Sequence, residues 1–294
     1  MTVQTFQGII AYPITPFRPA DGAVDTGKLR ALIDRLVDSG VHGVAPLGSA
    51  GESAYLSEAE WFEAAGTSLD AVAGRVPTLM GVSDLTTAGA VKRARFAKEA
   101  GADAVMVLPT SYWKLSEQEI LRHYGTISEA VDIPVMAYNN PATSGIDMSP
   151  ELLVRLVSEL DNVTMVKESS GDVQRMHRLT QLTDGELPFF NGSNPLALEA
   201  FAAGATGWCT AAPCLFPGPL LALYDTVRRG DLENARRQFY RLLPLLQFIL
   251  RGGLPTTIKA GLALQGLDVG EPRRPLLPLD EDGVQRLKSL LAAL

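Results

Sequence analysis

Ile133-Pro-Val-Met-Ala-Tyr-Asn-Asn-Pro-Ala-Thr-Ser-Gly145, then Ser149-Pro-Glu-Leu-Leu-Val-Arg-Leu-Val-Ser-Glu-Leu160, then Val163-Thr-Met-Val-Lys-Glu-Ser-Ser-Gly-Asp172 is the stretch that decides the fold. Its outer pieces are short apolar runs and its middle piece reads as a helix. An apolar run that does not alternate with polar residues is what a strand needs when both its faces are buried in a parallel sheet. The unit is therefore strand–helix–strand. The same grammar extends in both directions. Further runs are GIIAYPITPF from Gly8, HGVAPLG from His42, VPTLMGVS from Val76, ADAVMVLP from Ala102, LPFFNGS from Leu187 and GATGWCTA from Gly204, which makes eight strand candidates. Helix candidates lie between them at Thr26–Ser39, Ser57–Ala73, Ala88–Ala100 and Ser116–Ala130. In the first, Leu29, Leu32, Ile33 and Leu36 keep the 3.6-residue period.

Local signals agree with that reading. Ser57 and Ser116 stand three residues before Glu60 and Glu119, the spacing of a capping box, and Gly40, Gly74 and Gly101 follow helices as stop signals. Eight strand–helix units at even spacing predict a (β/α)8 TIM barrel over residues 1–230, with a doubly wound open sheet as the alternative on periodicity alone. Beyond Gly230 the strand signal stops. Asp231–Arg251, Thr256–Gln265 and Glu281–Leu294 read as helices, so residues 231–294 are expected to form a helical appendage packed on the barrel.

Composition narrows the function. The 294 residues are 46% hydrophobic and 20% charged, with net charge −7, which argues against a general nucleic-acid or anionic-membrane binder. No apolar stretch approaches the roughly 20 residues that span a bilayer. Two cysteines, Cys209 and Cys214, make no disulfide framework. A cytoplasmic enzyme acting on a small molecule is the expectation. No phosphate-binding glycine motif follows a strand, so no nucleotide cofactor is expected. The three histidines, His42, His123 and His177, lack ligand spacing, so no metal is expected either.

Lys167 is the residue that chemistry singles out. It sits near the end of an otherwise apolar strand, and Met165, Lys167 and Ser169 share one face by the two-residue alternation. An amine removed from water loses part of its preference for the charged form, and a neutral amine attacks a ketone to form a Schiff base. A lysine at a frayed strand end reaching solvent is the plainer alternative; the C-terminal face of a barrel, where active sites gather, favours catalysis. Tyr138, at the end of the preceding strand, is placed to move protons to and from the adduct, or else to pack. The Gly48-Ser-Ala-Gly-Glu52 turn offers backbone N–H groups and the Ser49 hydroxyl for a carboxylate; an ordinary tight turn is the alternative. Tyr112 and Trp113 read as loop aromatics at the site or at an interface. Lys259, Trp61 and Trp208 read as structural, and Arg228, Arg229, Arg236 and Arg237 as a solvated face.

Taken together these residues resemble the dihydrodipicolinate synthase / N-acetylneuraminate lyase family of class I, Schiff-base 2-oxo-acid lyases. TPF near Thr15, GSAGE at Gly48, YNNPATSG at Tyr138, VKESSGD around Lys167, NGSN at Asn191 and PTTIKAGLALQGL at Pro255 fall in family order across nearly the whole chain. The resemblance implies a homotetramer built as a dimer of dimers. By position it makes Lys167 the Schiff-base lysine, Tyr138 the proton donor and acceptor, Ser49 the hydroxyl that relays protons to that tyrosine, and Tyr112 the tyrosine that crosses a dimer interface. Ser49, Ala50, Cys209, Thr143 and Gly192 become substrate-binding positions. Two departures matter. Ala50 stands where many members have Thr, and Thr143 stands where true dihydrodipicolinate synthases place an arginine for the second substrate's carboxylate. Threonine cannot replace that bidentate fork. The expected activity is therefore a lyase, aldolase or hydro-lyase on pyruvate or a related 2-oxo acid. The alternatives are authentic 4-hydroxy-tetrahydrodipicolinate synthase activity or a barrel that binds a 2-oxo acid without turnover.

Overall fold

The apolar runs become strands. The computed structural model describes residues 6–294. Among the described residues the strands are β1 (Gly8–Ala11), β2 (Gly43–Val44), β3 (Leu79–Gly81), β4 (Ala104–Val107), β5 (Val135–Asn139), β6 (Val163–Glu168), β7 (Phe189–Asn191) and β8 (Gly207–Thr210). Between and after them run α1 (Thr26–Asp38), α2 (Glu58–Val72), α3 (Thr87–Glu99), α4 (Glu117–Ala130), α5 (Pro141–Ser144), α6 (Pro150–Glu159), α7 (Val173–Leu182), α8 (Ala197–Ala202) and α9 (Pro217–Arg228). The hydrogen-bonded order is β2-β1-β8-β7-β6-β5-β4-β3, and the paired strands are parallel. A doubly wound sheet reverses its strand order partway. Here neighbours in sequence stay neighbours in the ladder, with β8 followed by β1. The fold is a (β/α)8 TIM barrel with a C-terminal helical appendage made of α10 (Leu232–Arg251), α11 (Leu254–Leu264) and α12 (Glu281–Ala292).

The chain forms two compact units, residues 77–209 with 6–7, and residues 8–76 with 210–294. In the first, β3 to β7 carry a core of Met80, Val105, Met106, Val135, Met136, Val166 and Phe190. Helix α3 buries the small side chains Ala90, Ala94 and Ala97, and α4 buries Ile120, Leu121, Tyr124 and Ile127. In the second, α1 turns Leu29, Leu32, Ile33 and Leu36 inward as the period requires, and α1 packs on α2. Burying each such leucine or isoleucine contributes about 1.5–3 kcal/mol. Helix α10 buries Phe239, Leu242, Leu245, Leu246 and Ile249 and packs on α9, α11 and α12.

The local signals behave as their chemistry dictates. Ser57 and Ser116 each accept from the backbone N–H three residues on, while Glu60 and Glu119 reach back to the cap, completing both boxes. Gly40, Gly74 and Gly101 adopt φ of 87°, 69° and 94°, conformations that other residues enter at a cost. One element is not visible as a period in the sequence. Pro141–Ser144 forms a single helical turn, started by Pro141 and stopped by Gly145 at φ 70°.

Candidate active site

Register is what brings the chemistry together in residues 77–209. Strands β5 and β6 pair in parallel, and Tyr138 lies directly opposite Lys167. Lys167 is only 5% exposed, so the amine does not escape to solvent from a frayed end. Its Nζ stands 3.9 Å from the centroid of the Tyr138 ring. That proximity puts the phenol beside whatever forms on Nζ. Tyr138 is buried, and its hydroxyl oxygen accepts a 2.8 Å hydrogen bond from Asn140 Nδ2.

The strand ends beneath this pair are locked by a second layer. Glu168, one residue beyond Lys167 and fully buried, takes hydrogen bonds from the Ser170 N–H at 2.6 Å and Asn139 Nδ2 at 3.1 Å, and pairs with Arg175 at 3.3 Å. Arg175 also pairs with Asp147 and donates to the Met148 carbonyl. Asn139 completes the knot: its Oδ1 accepts from Met148 N–H at 3.0 Å. The carboxamide of Asn139 is thus spent on structure. Past the exposed Thr164, β6 is buried on both faces, one holding Lys167 and the other this charge knot.

Gly192, just past β7, is required sterically. Its N–H donates to the Glu168 carbonyl at 2.9 Å, which draws its Cα toward Lys167. A Cβ at position 192 would stand 1.7 Å from Ser169 Oγ and 2.8 Å from Lys167 Cε. Ser169 is the residue that reading for motifs passed over. Its Oγ is buried with no hydrogen-bond partner, on the same strand face as Lys167. The two-residue alternation was the available signal.

The remaining expected positions fall as follows. Cys209 is buried in β8, and neither Cys209 nor Cys214 is in a disulfide; burial pushes the Cys214 thiol up to about 12, leaving it inert. Thr143 is exposed on α5. Ser144, its neighbour, spends its hydroxyl on the Asn140 and Ile146 carbonyls. Tyr112 is 90% exposed and Trp113 78%, with their rings in edge contact at 5.7 Å. Among the described residues no cluster of His, Cys, Asp and Glu suited to a metal occurs.

Within residues 8–76 and 210–294, Ser49–Gly51 forms a 3-10 turn in which Ala50 and Gly51 are buried. It is bracketed by Leu47 at φ 58° and Glu52 at φ 55°, two left-handed non-glycine residues. Thr15 Oγ1 donates to the Gly51 carbonyl at 2.6 Å. Buried Glu52 pairs with Lys259 of α11 at 2.6 Å and accepts the Arg273 N–H at 2.6 Å. Lys259, which looked merely structural in sequence, is therefore tied to this turn.

A model of the Dihydrodipicolinate synthetase family matches residues 5–294. The chain is 34% identical to the 4-hydroxy-tetrahydrodipicolinate synthase of Methanospirillum hungatei, over 98% of this chain and 99% of that protein. Among solved structures, a candidate dihydrodipicolinate synthetase from Pseudomonas aeruginosa superposes with a TM-score of 0.97 at 60% identity, covering 99% of both chains. The 4-hydroxy-tetrahydrodipicolinate synthase of Methylacidiphilum fumariolicum gives 0.94 at 30% identity, covering 98% of this chain and 96% of its own. The chain belongs to the dihydrodipicolinate synthetase family and is a class I, Schiff-base lyase.

Proposed function

We propose that Lys167 condenses with the ketone of pyruvate or a hydroxylated 2-oxo acid and that Tyr138 handles the protons. The observation that carries this reading is the buried Lys167 amine set directly opposite Tyr138 across the β5–β6 ladder, 3.9 Å from its ring. In the first step Nζ adds to the ketone carbon, and the carbonyl oxygen takes up a proton to give a carbinolamine. Loss of water with a second proton then yields the iminium. In cleavage a base takes the C4 hydroxyl proton, the C3–C4 electron pair flows into the iminium to give an enamine and an aldehyde, and the enamine is reprotonated at C3. In dehydration loss of a C3 proton gives the enamine, whose electrons expel the C4 hydroxyl with a proton as water. In both cases water finally hydrolyses the iminium and frees Lys167. Ser49 serves as the relay hydroxyl, and the Ser49–Ala50 backbone as the seat of the substrate carboxylate. Ser169, Gly192 and Cys209 shape the space around the adduct. Borohydride reduction in the presence of pyruvate should fix the substrate mass on Lys167. No mass gain, or a gain that survives Lys167→Ala, rejects the reading.

The named relatives favour a second reading, condensation of pyruvate with aspartate semialdehyde. Position 143 argues against it. Thr143 brings no charge, and both arginines of α7 are engaged, Arg175 by Glu168, Asp147 and the Met148 carbonyl and Arg178 by Glu151. An anion seated without a cation is costly, whereas hydroxyls find neutral partners readily. The comparison of kcat/KM for condensation against cleavage or dehydration of a 2-keto-3-deoxy sugar acid decides between them. Condensation faster by tenfold, about 1.4 kcal/mol in transition-state binding, establishes the second reading. The proposal extends to a homotetrameric, cytoplasmic enzyme. The exposed Tyr112–Trp113 pair supplies apolar surface for a second copy, and among the described residues no helix is long and apolar enough to cross a membrane. Sedimentation of the wild type beside Tyr112→Asp and Trp113→Asp tests the assembly.

A further inference from the structure

We infer that Lys259, in the C-terminal helical segment, is a positioning residue for the Ser49–Glu52 turn. This rests on the reading of that turn as the carboxylate seat. Helix α11 packs against the turn, and the Lys259 ammonium forms an ion pair with Glu52 Oε1 at 2.6 Å, donates to the Glu271 carbonyl at 3.1 Å and lies 4.0 Å from the centroid of the Phe17 ring. The other Glu52 oxygen is held by the Arg273 N–H. The Arg273 guanidinium grips Glu60 through two contacts, 2.7 and 2.6 Å, and lies 4.3 Å over the opposite reach of the same Phe17 ring. Two carboxylates and two cations thus close one neutral cluster beneath the turn.

Glu52 is the hinge of the argument. Its backbone sits in the left-handed region, where a side chain is disfavoured, and such a conformation persists only when its surroundings over-determine it. Its N–H closes the turn onto the Ser49 carbonyl at 3.2 Å. A carboxylate pulled by a buried ammonium from one side and a backbone N–H from the other fixes that residue's orientation, and with it the direction of the Ser49 hydroxyl. Replacing a buried ion pair by apolar groups is commonly neutral or favourable for stability, so two buried charges are weakly explained by stability alone. Placement of the turn explains them.

The test separates placement from folding. Lys259→Met strands the Glu52 carboxylate and should lower the melting temperature; Lys259→Met with Glu52→Gln removes both charges and should restore it. If the cluster positions the turn, the double variant keeps a KM for pyruvate raised tenfold or more while kcat falls less, because carboxylate binding is lost before chemistry. Recovery of both melting temperature and KM would overturn the inference. Should the double variant not fold, Glu52→Gln alone is decisive: a raised KM supports positioning, and an unchanged one refutes it. Wild-type enzyme that traps no pyruvate on Lys167 refutes the underlying function instead, a result distinct from a normal KM in the variants.

Discussion

Gly192→Ala is the sharpest perturbation the structure offers, because it pushes on Lys167, the proposed Schiff-base residue, without altering its side chain. The added methyl would meet Lys167 Cε at 2.8 Å, Ser169 Cβ at 2.9 Å and Ser169 Oγ at 1.7 Å. The hydroxyl clash is removable by rotation of the serine side chain, but the two carbon contacts are not. Carbon atoms rest about 3.5–4.0 Å apart, so Lys167 Cε must retreat by about 0.7 Å or more, or β7 must move. Retreat of β7 is resisted by the Gly192 N–H bond to the Glu168 carbonyl. Overpacking of this kind costs about 1–3 kcal/mol of stability. A displacement near 1 Å at the reacting atom costs up to about 100-fold in rate. The expected result is imine formation slowed by about 10- to 100-fold, or about 1.4–2.7 kcal/mol in activation free energy, in a protein that still melts cooperatively. The assay is the rate of borohydride-trapped mass on Lys167 at saturating pyruvate. Combining it with Ser169→Ala removes the hydroxyl contact but leaves the clash with Cε, so the defect should persist. Trapping within twofold of wild type in Gly192→Ala would refute the reasoning, since Lys167 would then not be seated against position 192.

Tyr138→Phe should still be trapped by borohydride at Lys167 while kcat falls by about 10²- to 10⁴-fold, the usual weight of a lost proton-transfer group; kcat within threefold of wild type would remove Tyr138 from that role. The Arg273 guanidinium holds the Glu60 carboxyl well below its ordinary value, at about 2. A depressed folded value means the stabilisation is present above about pH 4.5 and is lost as pH falls toward 2, so Glu60→Gln should flatten the melting-temperature profile in that window, and an unchanged profile would contradict the pairing. Burial pushes the His123 imidazole below its ordinary 6.5. Its neutral form is favoured on folding, so stability should decline as pH drops below about 6.5, and His123→Gln should lessen that decline in a urea-melt series.

How much of this was legible before the structure follows from the range of each interaction. The caps and the helix stops are set by residues within one turn of each other and stand where the sequence put them. The strands are shorter than the apolar runs that mark them, β2 being only Gly43–Val44, and α11 starts at Leu254 rather than Thr256. Lys167 and Tyr138 were legible for a related reason: both lie at the ends of adjacent parallel strands, and parallel neighbours in a barrel are also neighbours in sequence order. Pairing Tyr138 with Lys167 therefore needed only the strand assignment, not a contact between distant segments. Asn139 shows the limit of that reasoning. Its amide at the end of β5 carries no sequence mark of its partners, yet Glu168, one register step from Lys167 on the opposite face, claims it together with Met148. The strand alternation that exposes Lys167 to the site necessarily turns Glu168 away, and a buried carboxylate recruits whatever donors adjoin it. Lys259 escaped for the converse reason. Its partner Glu52 comes from the opposite end of the chain, and nothing local distinguishes a lysine that ends in solvent from one that ends on a buried carboxylate. The pairing of Tyr138 with Lys167 is written in strand order and that of Lys259 with Glu52 in long-range charge pairing, and only the first can be read along the chain.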